Sequence, residues 1–358
     1  MTVATFMAEA LGHPSHGYYM RRDPFGAAGD FVTAPEISQM FGELLGLWCA
    51  ERWLVMGRPA RVALVELGPG RGALMSDALR AARGVPGFLA AVSVHLVETS
   101  PALRAAQRAT LAAAEVPVAW HDGFDRVPPG PMLLLANEFL DALPIRQFVR
   151  MAAGWHERMI GWHDDAFRFT VAPGRSPLAS ALSPAASGAP VGAVAELCPP
   201  AITLAGAVGA RVRAEGGAAL FVDYGHARSA AGDTLQAVRN HRHVPVLETP
   251  GEADITAHVD FQAVARAAGE AGAAVWGPVD QGTLLRRLGI ETRAAALQRA
   301  APAKAAQIEA ACRRLIAPAE MGTLFKALAI IAPGQTTPAG FETTAPTGTG
   351  PSQGGEAR

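Results

Sequence analysis

Short apolar runs along this chain alternate with stretches in which apolar residues recur every three or four positions, the pattern of strands followed by helices. The runs 62–67, 92–98, 116–120, 132–136 and 218–224 read as strands. Met132 to Ala136 is apolar throughout, as expected of a strand covered on both faces. Segments 74–82, 101–113 and 200–215 have helical spacing. Before them, residues 2–11 read as a short helix, and 13–31 as a loop rich in Gly, Pro and aromatics. From Ala34 one helical face carries Ile37, Met40, Phe41, Leu44, Leu45 and Trp48, with Pro35 in its first turn. This alternation predicts an α/β fold built on a doubly wound parallel sheet.

The regularity breaks after Pro144. Residues 145–172 alternate and carry turn signals, which predicts two or three antiparallel strands, and 173–195 read as a loop. The polar stretch 226–258 is expected to cover a site. Helices follow at 260–270, 282–288 and 292–315, with final strands in 273–279 and 321–332. From Pro333 the chain turns rich in Gly, Thr and Pro. The expected organisation is a helical lid segment (1–60), a Rossmann-like core (61–144 and 216–333), an inserted β/helical subdomain (145–215) and a disordered tail (334–358).

Open α/β sheets bind ligands at the carboxyl ends of their strands. Glu66, Gly68, Glu98, Asn137, Glu138, Asp223 and Tyr224 all fall there. In Glu66-Leu-Gly-Pro-Gly-Arg-Gly72, Gly68, Gly70 and Gly72 alternate, unlike the G-x-G-x-x-G of dinucleotide sites. Such a turn lets a ligand lie on the backbone. Pro69 removes one N–H, no Gly-Lys-Ser/Thr follows, and the Glu66 anion disfavours phosphate. A cationic or amine-bearing ligand suits it better; S-adenosylmethionine, with a sulfonium and no phosphate, is one. A plain tight turn is the alternative. Glu98 is placed to accept the hydroxyls of a ribose, or is a solvated strand end. Glu138 and Asp141, three apart, share a face if the segment turns helically. Paired carboxylates clamp a guanidinium or hold an amine nucleophile. Otherwise one caps a helix and the other is exposed. Asp30, Phe31, Glu36 and Gln39 bracket the start of the 34–55 helix, where Glu36 also complements the helix dipole. His241, Arg242 and His243 have poor spacing for zinc and no nearby Cys. His258 lies between Thr256 and Asp260, and Asp260 is a helix cap or a substrate contact.

Composition narrows the classes. The chain has 358 residues and net charge −1, with no basic stripe to suggest nucleic acid. Its lysines are Lys304 and Lys326. Cys49, Cys198 and Cys312 are scattered, which implies neither a disulfide framework nor a zinc site and fits a reducing bacterial cytoplasm. No signal pattern or membrane-length apolar run is present.

Several stretches together resemble the MidA-like family of class I S-adenosylmethionine-dependent methyltransferases, which includes a mitochondrial complex I assembly factor that methylates a protein arginine. They are 16–19, 29–43, Glu66-Leu-Gly-Pro-Gly-Arg-Gly72, Asn137-Glu-Phe-Leu-Asp-Ala-Leu-Pro144, 221–225, 254–261 and 321–326. The resemblance implies a class I methyltransferase sheet with an antiparallel β insertion and a helical C-terminal part. It also implies contacts to S-adenosyl-L-methionine from Gly68, Gly70, Glu98 and the 29–39 segment. Members carry a longer N-terminal helix, which this chain enters partway. The expected activity is methyl transfer to an arginine of a partner protein, of the kind a respiratory complex subunit supplies. Asn137, Glu138 and Asp141 form the catalytic group, and Asp30, Phe31, Glu36, Gln39, Glu66, Gly68, Gly70 and Glu98 the cofactor group. A homodimer is a further expected partner; nucleic acid and membrane insertion are not. The competing readings are a small-molecule N- or O-methyltransferase and a non-catalytic cofactor-binding assembly factor.

Overall fold

The computed structural model describes residues 1–21 and 32–342. Helix α1 (Val3–Gly12) is capped by Thr2, whose hydroxyl accepts from Thr5 N, and a short α2 (Tyr18–Arg21) follows. The expected 34–55 helix is two, α3 (Ala34–Ile37) and α4 (Gln39–Val55). Ser38 breaks it with extended backbone and then caps α4 through its hydroxyl.

The core begins with β1 (Val62–Leu67), α5 (Ala73–Ala82), α6 (Phe88–Ala91), β2 (Val92–Val97), α7 (Pro101–Thr110), β3 (Val118–His121) and β4 (Met132–Asn137). An antiparallel excursion then leaves the sheet: β5 (Arg146–Met151), β6 (Gly154–His163), β7 (Ala166–Arg175) and β8 (Val194–Leu197) pair in the order β7-β6-β5-β8. The segment read as a 173–195 loop therefore holds the end of β7, two short 3-10 turns and the start of β8. The chain returns through α8 (Pro199–Glu215) to β9 (Gly217–His226). Then come β10 (Gln236–Arg239), β11 (Arg242–Val244) and β12 (Asp254–Thr256), which form a small sheet, and β13 (Val259–Asp260), which pairs with β9. Last are α9 (Phe261–Glu270), β14 (Ala274–Asp280), α10 (Gln281–Arg287), α11 (Ile290–Ala300), α12 (Ala305–Ile316) and β15 (Phe325–Ile331). The helix expected at 292–315 is thus two, because Pro302 interrupts the backbone hydrogen bonding between them.

The main sheet runs β14-β15-β9-β4-β1-β2-β3. It is not wholly parallel: β15 lies antiparallel between β9 and β14. One face packs on α4, α5 and α10 to α12, and the other on α8 and α9. Helices pack tightly where glycine allows it; a Cβ on Gly46 of α4 would lie 2.4 Å from Ala78 Cα of α5. The strand order reverses between β1 and β4, so the carboxyl ends there open a crevice.

Residues 334–342, expected to belong to a disordered tail, are instead docked on the core. Phe341 is fully buried, Arg52 Nη1 donates to Thr336 O at 2.9 Å, and Arg287 Nη1 donates to Gly340 O at 2.9 Å. An aromatic among polar residues gave little warning of this docking. Residues 343–358 lie outside the described residues.

Candidate functional site

A cavity of about 720 Å³ opens over the carboxyl ends of β1, β2, β3, β4 and β9. Gly68 and Gly70 form its floor with φ of +60° and +51°, values that glycine adopts without strain. A Cβ on Gly68 would lie 2.7 Å from Phe139 Cδ2. The turn is tied to β2, because Gly68 N donates to Val97 O at 3.1 Å.

Glu98 is buried at the end of β2. Its Oε1 accepts from Ser100 N at 2.7 Å and its Oε2 from Gln107 Nε2 at 3.3 Å. Burial raises its pKa, and these donors oppose that shift. Gln107 Nε2 also donates to Gly70 O at 2.7 Å, and its Oε1 accepts from Trp120 Nε1 at 2.9 Å. One amide thus holds the glycine turn, the acid and β3 in register. The sequence reading missed Gln107, since nothing in its pattern separates it from an exposed helix glutamine. It also missed Asp122, Gly123 and Phe124, which line the cavity beyond β3. The strand-end rule that found Glu98 could have found them.

A smaller cleft shares Gly68, Gly70 and Glu138 with the cavity and adds Glu36, Glu66, Arg71 and Asn137. Glu66 is 3% exposed, and burial pushes its carboxyl up to about 8. Glu66 Oε2 and Asn137 Oδ1 are buried without hydrogen-bond partners among the described residues. Arg71 lies 3.6 Å from Glu36.

Glu138 has φ of +49°, so residues 138–141 form a turn, and the helical face expected for the two carboxylates does not exist. Asp223 of β9 builds the turn instead. Its Oδ2 accepts from the backbone N–H groups of Phe139, Leu140 and Asp141, and its Oδ1 from that of Tyr224. Glu138 and Asp141 consequently both line the cavity. Glu138 Oε1 accepts from Ala34 N at 2.9 Å and from Asn137 Nδ2 at 3.0 Å, so Asn137 orients Glu138. Burial, with a smaller push from the Asp141 charge, raises Glu138 to about 7. Burial likewise raises Asp141 to about 6, against the Tyr224 hydroxyl, which donates to its Oδ2 at 2.5 Å. Asp141 Oδ1 is buried without a hydrogen-bond partner among the described residues.

Gln39 departs from the expectation: its side chain points to Glu43, donating to Oε1 at 3.1 Å, and does not line the cavity. Asp30 and Phe31 lie outside the described residues. Asp260 is the helix cap, its Oδ1 accepting from Ala263 N at 3.0 Å. Among the described residues no three His, Cys, Asp or Glu side chains gather as a metal site.

A family model for S-adenosyl-L-methionine-dependent methyltransferases matches residues 44–279. The chain is 37% identical to protein arginine methyltransferase NDUFAF7, mitochondrial, of Danio rerio, across 92% of this chain and 83% of that one. With the Homo sapiens protein of the same name it shares 36%, across 92% and 80%. Among solved structures it is similar to a Burkholderia thailandensis protein crystallised with S-adenosyl-homocysteine. The TM-score is 0.85 at 30% identity, covering 97% of this chain and 91% of that one. A second, native structure from Burkholderia thailandensis gives 0.82 at 32%, covering 96% and 90%.

Proposed function

The chain belongs to this family of S-adenosyl-L-methionine-dependent methyltransferases, and from that premise we propose that it methylates a side-chain nitrogen of arginine in a partner protein. The cofactor supplies, when bound, a methyl group made electrophilic by its sulfonium. The residues present fit it. Gly68 and Gly70 offer a floor without Cβ atoms, Glu98 offers acceptors for ribose hydroxyls, and the orphaned Glu66 carboxyl suits an ammonium group.

The observation that carries the acceptor reading is the buried pair Glu138 and Asp141, with Asp141 Oδ1 unpartnered among the described residues at the cavity wall. A guanidinium stays protonated at neutral pH and presents its donors in a planar fork, which matches carboxylates. As the acceptor nitrogen forms its N–C bond and the S–C bond breaks, that nitrogen must give up one proton. Glu138, with a pKa near 7, is suited to take it. Asp141 keeps the acceptor aligned. The relatives named protein arginine methyltransferase support the same acceptor. The family resemblance supports a respiratory complex subunit as its bearer.

Transfer of labelled methyl into a lysate of the source cell, followed by mass spectrometry, tests this. Label on a protein arginine is expected, and loss of it in both Glu138→Gln and Asp141→Asn. Label confined to small molecules would replace this reading with the small-molecule one. Absence of S-adenosylmethionine binding by calorimetry would exclude both enzyme readings.

A further inference from the structure

Phe139 has no role in the scheme above, although it sits in the turn that carries Glu138 and Asp141. It lines the cavity, half-buried, and packs on the apolar cluster beneath α8 and α9. A Cβ placed on Gly68 would lie 2.7 Å from Phe139 Cδ2, but 3.5 and 3.6 Å from Cε2 and Cγ on either side of it. That steep rise from the near atom to both its neighbours means that the ring meets the glycine by its edge; a face would hold all three atoms at similar distances. The ring therefore stands up from the glycine turn as a wall, and its faces are left for whatever lies over the turn. Its backbone is fixed there, because Phe139 N donates to Asp223 Oδ2 at 3.1 Å.

Where this wall stands along the cofactor follows from the groups at the two ends. The orphaned Glu66 carboxyl suits the ammonium group, and Glu98 the ribose hydroxyls. Glu66 lies in the small cleft and Glu98 in the large cavity, while Gly68, Gly70 and Glu138 border both. Sulfur joins the amino-acid half of S-adenosylmethionine to its ribose half, so its place is where cleft and cavity meet, at Gly68 and hence beside Phe139. Other aromatic residues of the cavity stand elsewhere: Phe124 beyond β3, and Tyr224 on β9 with its hydroxyl on Asp141. A sulfonium carries a charge but no N–H or O–H, so it cannot be held through donors as a guanidinium is. A carboxylate set directly on it would offer a nucleophilic oxygen to the methyl group. An aromatic face attracts a cation and offers no such oxygen.

We propose that Phe139 recognises the sulfonium of the cofactor: its ring attracts the positive sulfur of S-adenosylmethionine and has little attraction for the neutral thioether of S-adenosyl-homocysteine. The site thereby favours the methyl donor over the product left after transfer, through the charge of a single atom. This goes beyond the arginine-acceptor reading and does not depend on it, whichever nucleophile takes the methyl group.

The test replaces Phe139 in the full chain with mono-, di- and trifluorinated phenylalanine. Each protein is titrated calorimetrically with S-adenosylmethionine and with S-adenosyl-homocysteine, at one pH so that Glu138 keeps the same charge. Fluorine drains negative charge from the ring face and leaves the shape of the ring nearly unchanged, so its packing survives. S-adenosylmethionine affinity falls stepwise with each fluorine, at least about threefold across the series, while S-adenosyl-homocysteine stays within about twofold of wild type. Phe139→Leu loses the preference for the charged cofactor and Phe139→Tyr keeps it; the fluorinated series decides the matter should Phe139→Leu fail to fold. The proposal is overturned by S-adenosylmethionine affinity that ignores the fluorines, by S-adenosyl-homocysteine weakening in step with it, or by a Phe139→Leu chain that keeps the wild-type ratio of the two affinities.

Discussion

Replacing Gln107 with Leu probes the physical link between the glycine turn and Glu98. Gln107 is fully buried, and its amide makes three hydrogen bonds, to Gly70 O, Glu98 Oε2 and Trp120 Nε1. Leucine nearly conserves the volume, so packing changes little, and the cost comes from the partners left behind. A buried polar group without a partner costs ~1–3 kcal/mol, and the buried Glu98 carboxyl belongs in that class. Gly70 and Trp120 are partly exposed and can turn to water, which brings the sum to about 2–4 kcal/mol. At about 2–4 °C per kcal/mol for a chain of this size class, the unfolding midpoint falls by roughly 4–16 °C. Glu98 also loses an orienting donor, so S-adenosylmethionine affinity falls at least about tenfold, or ~1.4 kcal/mol. Urea and thermal unfolding measure the first effect and calorimetric titration the second. A variant within ~0.5 kcal/mol of wild type that binds the cofactor normally would show that Gln107 is only a space-filler.

Three further outcomes are expected. Glu66 holds a proton in the folded chain up to about pH 8, while the unfolded chain releases it near pH 4.3, so its contribution to stability declines across that window and stays lost above it. Without ligand, Glu66→Gln therefore gains stability over wild type as pH rises from 5 to 8.5, read by urea midpoints, yet binds the cofactor more weakly. The transfer rate of the wild type rises with pH through about 7 as Glu138 ionises, and Glu138→Gln loses both this rise and ~10²–10⁴-fold in rate; a profile kept intact in the variant excludes Glu138 as the base. Phe341→Ala opens a cavity beneath the docked C-terminal segment and costs ~3–5 kcal/mol by chemical unfolding, whereas a cost below ~1 kcal/mol would mean the segment docks without stabilising the core.

The strands at the site were legible because each is a short apolar run ending in a polar residue, as β2 ends before Glu98 and β4 ends at Asn137. The reversed direction of β15 was not, since apolar runs carry no polarity and both of its neighbours are distant in sequence. Glu138 and Asp141 were found for the wrong geometric reason: their spacing suggested a helix, while Asp223, more than eighty residues away, gathers the turn that unites them. Gln39 misled because its place in the 29–43 stretch says nothing of its rotamer, which Glu43 determines. The Tyr19–Asp254 pair joins residues 235 apart, and no local pattern announces such a partner.

Asp223 also governs when the molecule becomes competent. Its hydrogen bonds to Phe139, Leu140 and Asp141 close across 84, 83 and 82 residues, with the whole antiparallel excursion and α8 in between. Contacts of that separation carry a loop-closure entropy that local helices and hairpins escape, so they form late. An emerging chain can therefore complete β1 to β4 and their helices while its two acids remain ungathered. Competence arrives with the docking of β9 (Gly217–His226) against β4, well after the glycine turn that is built first.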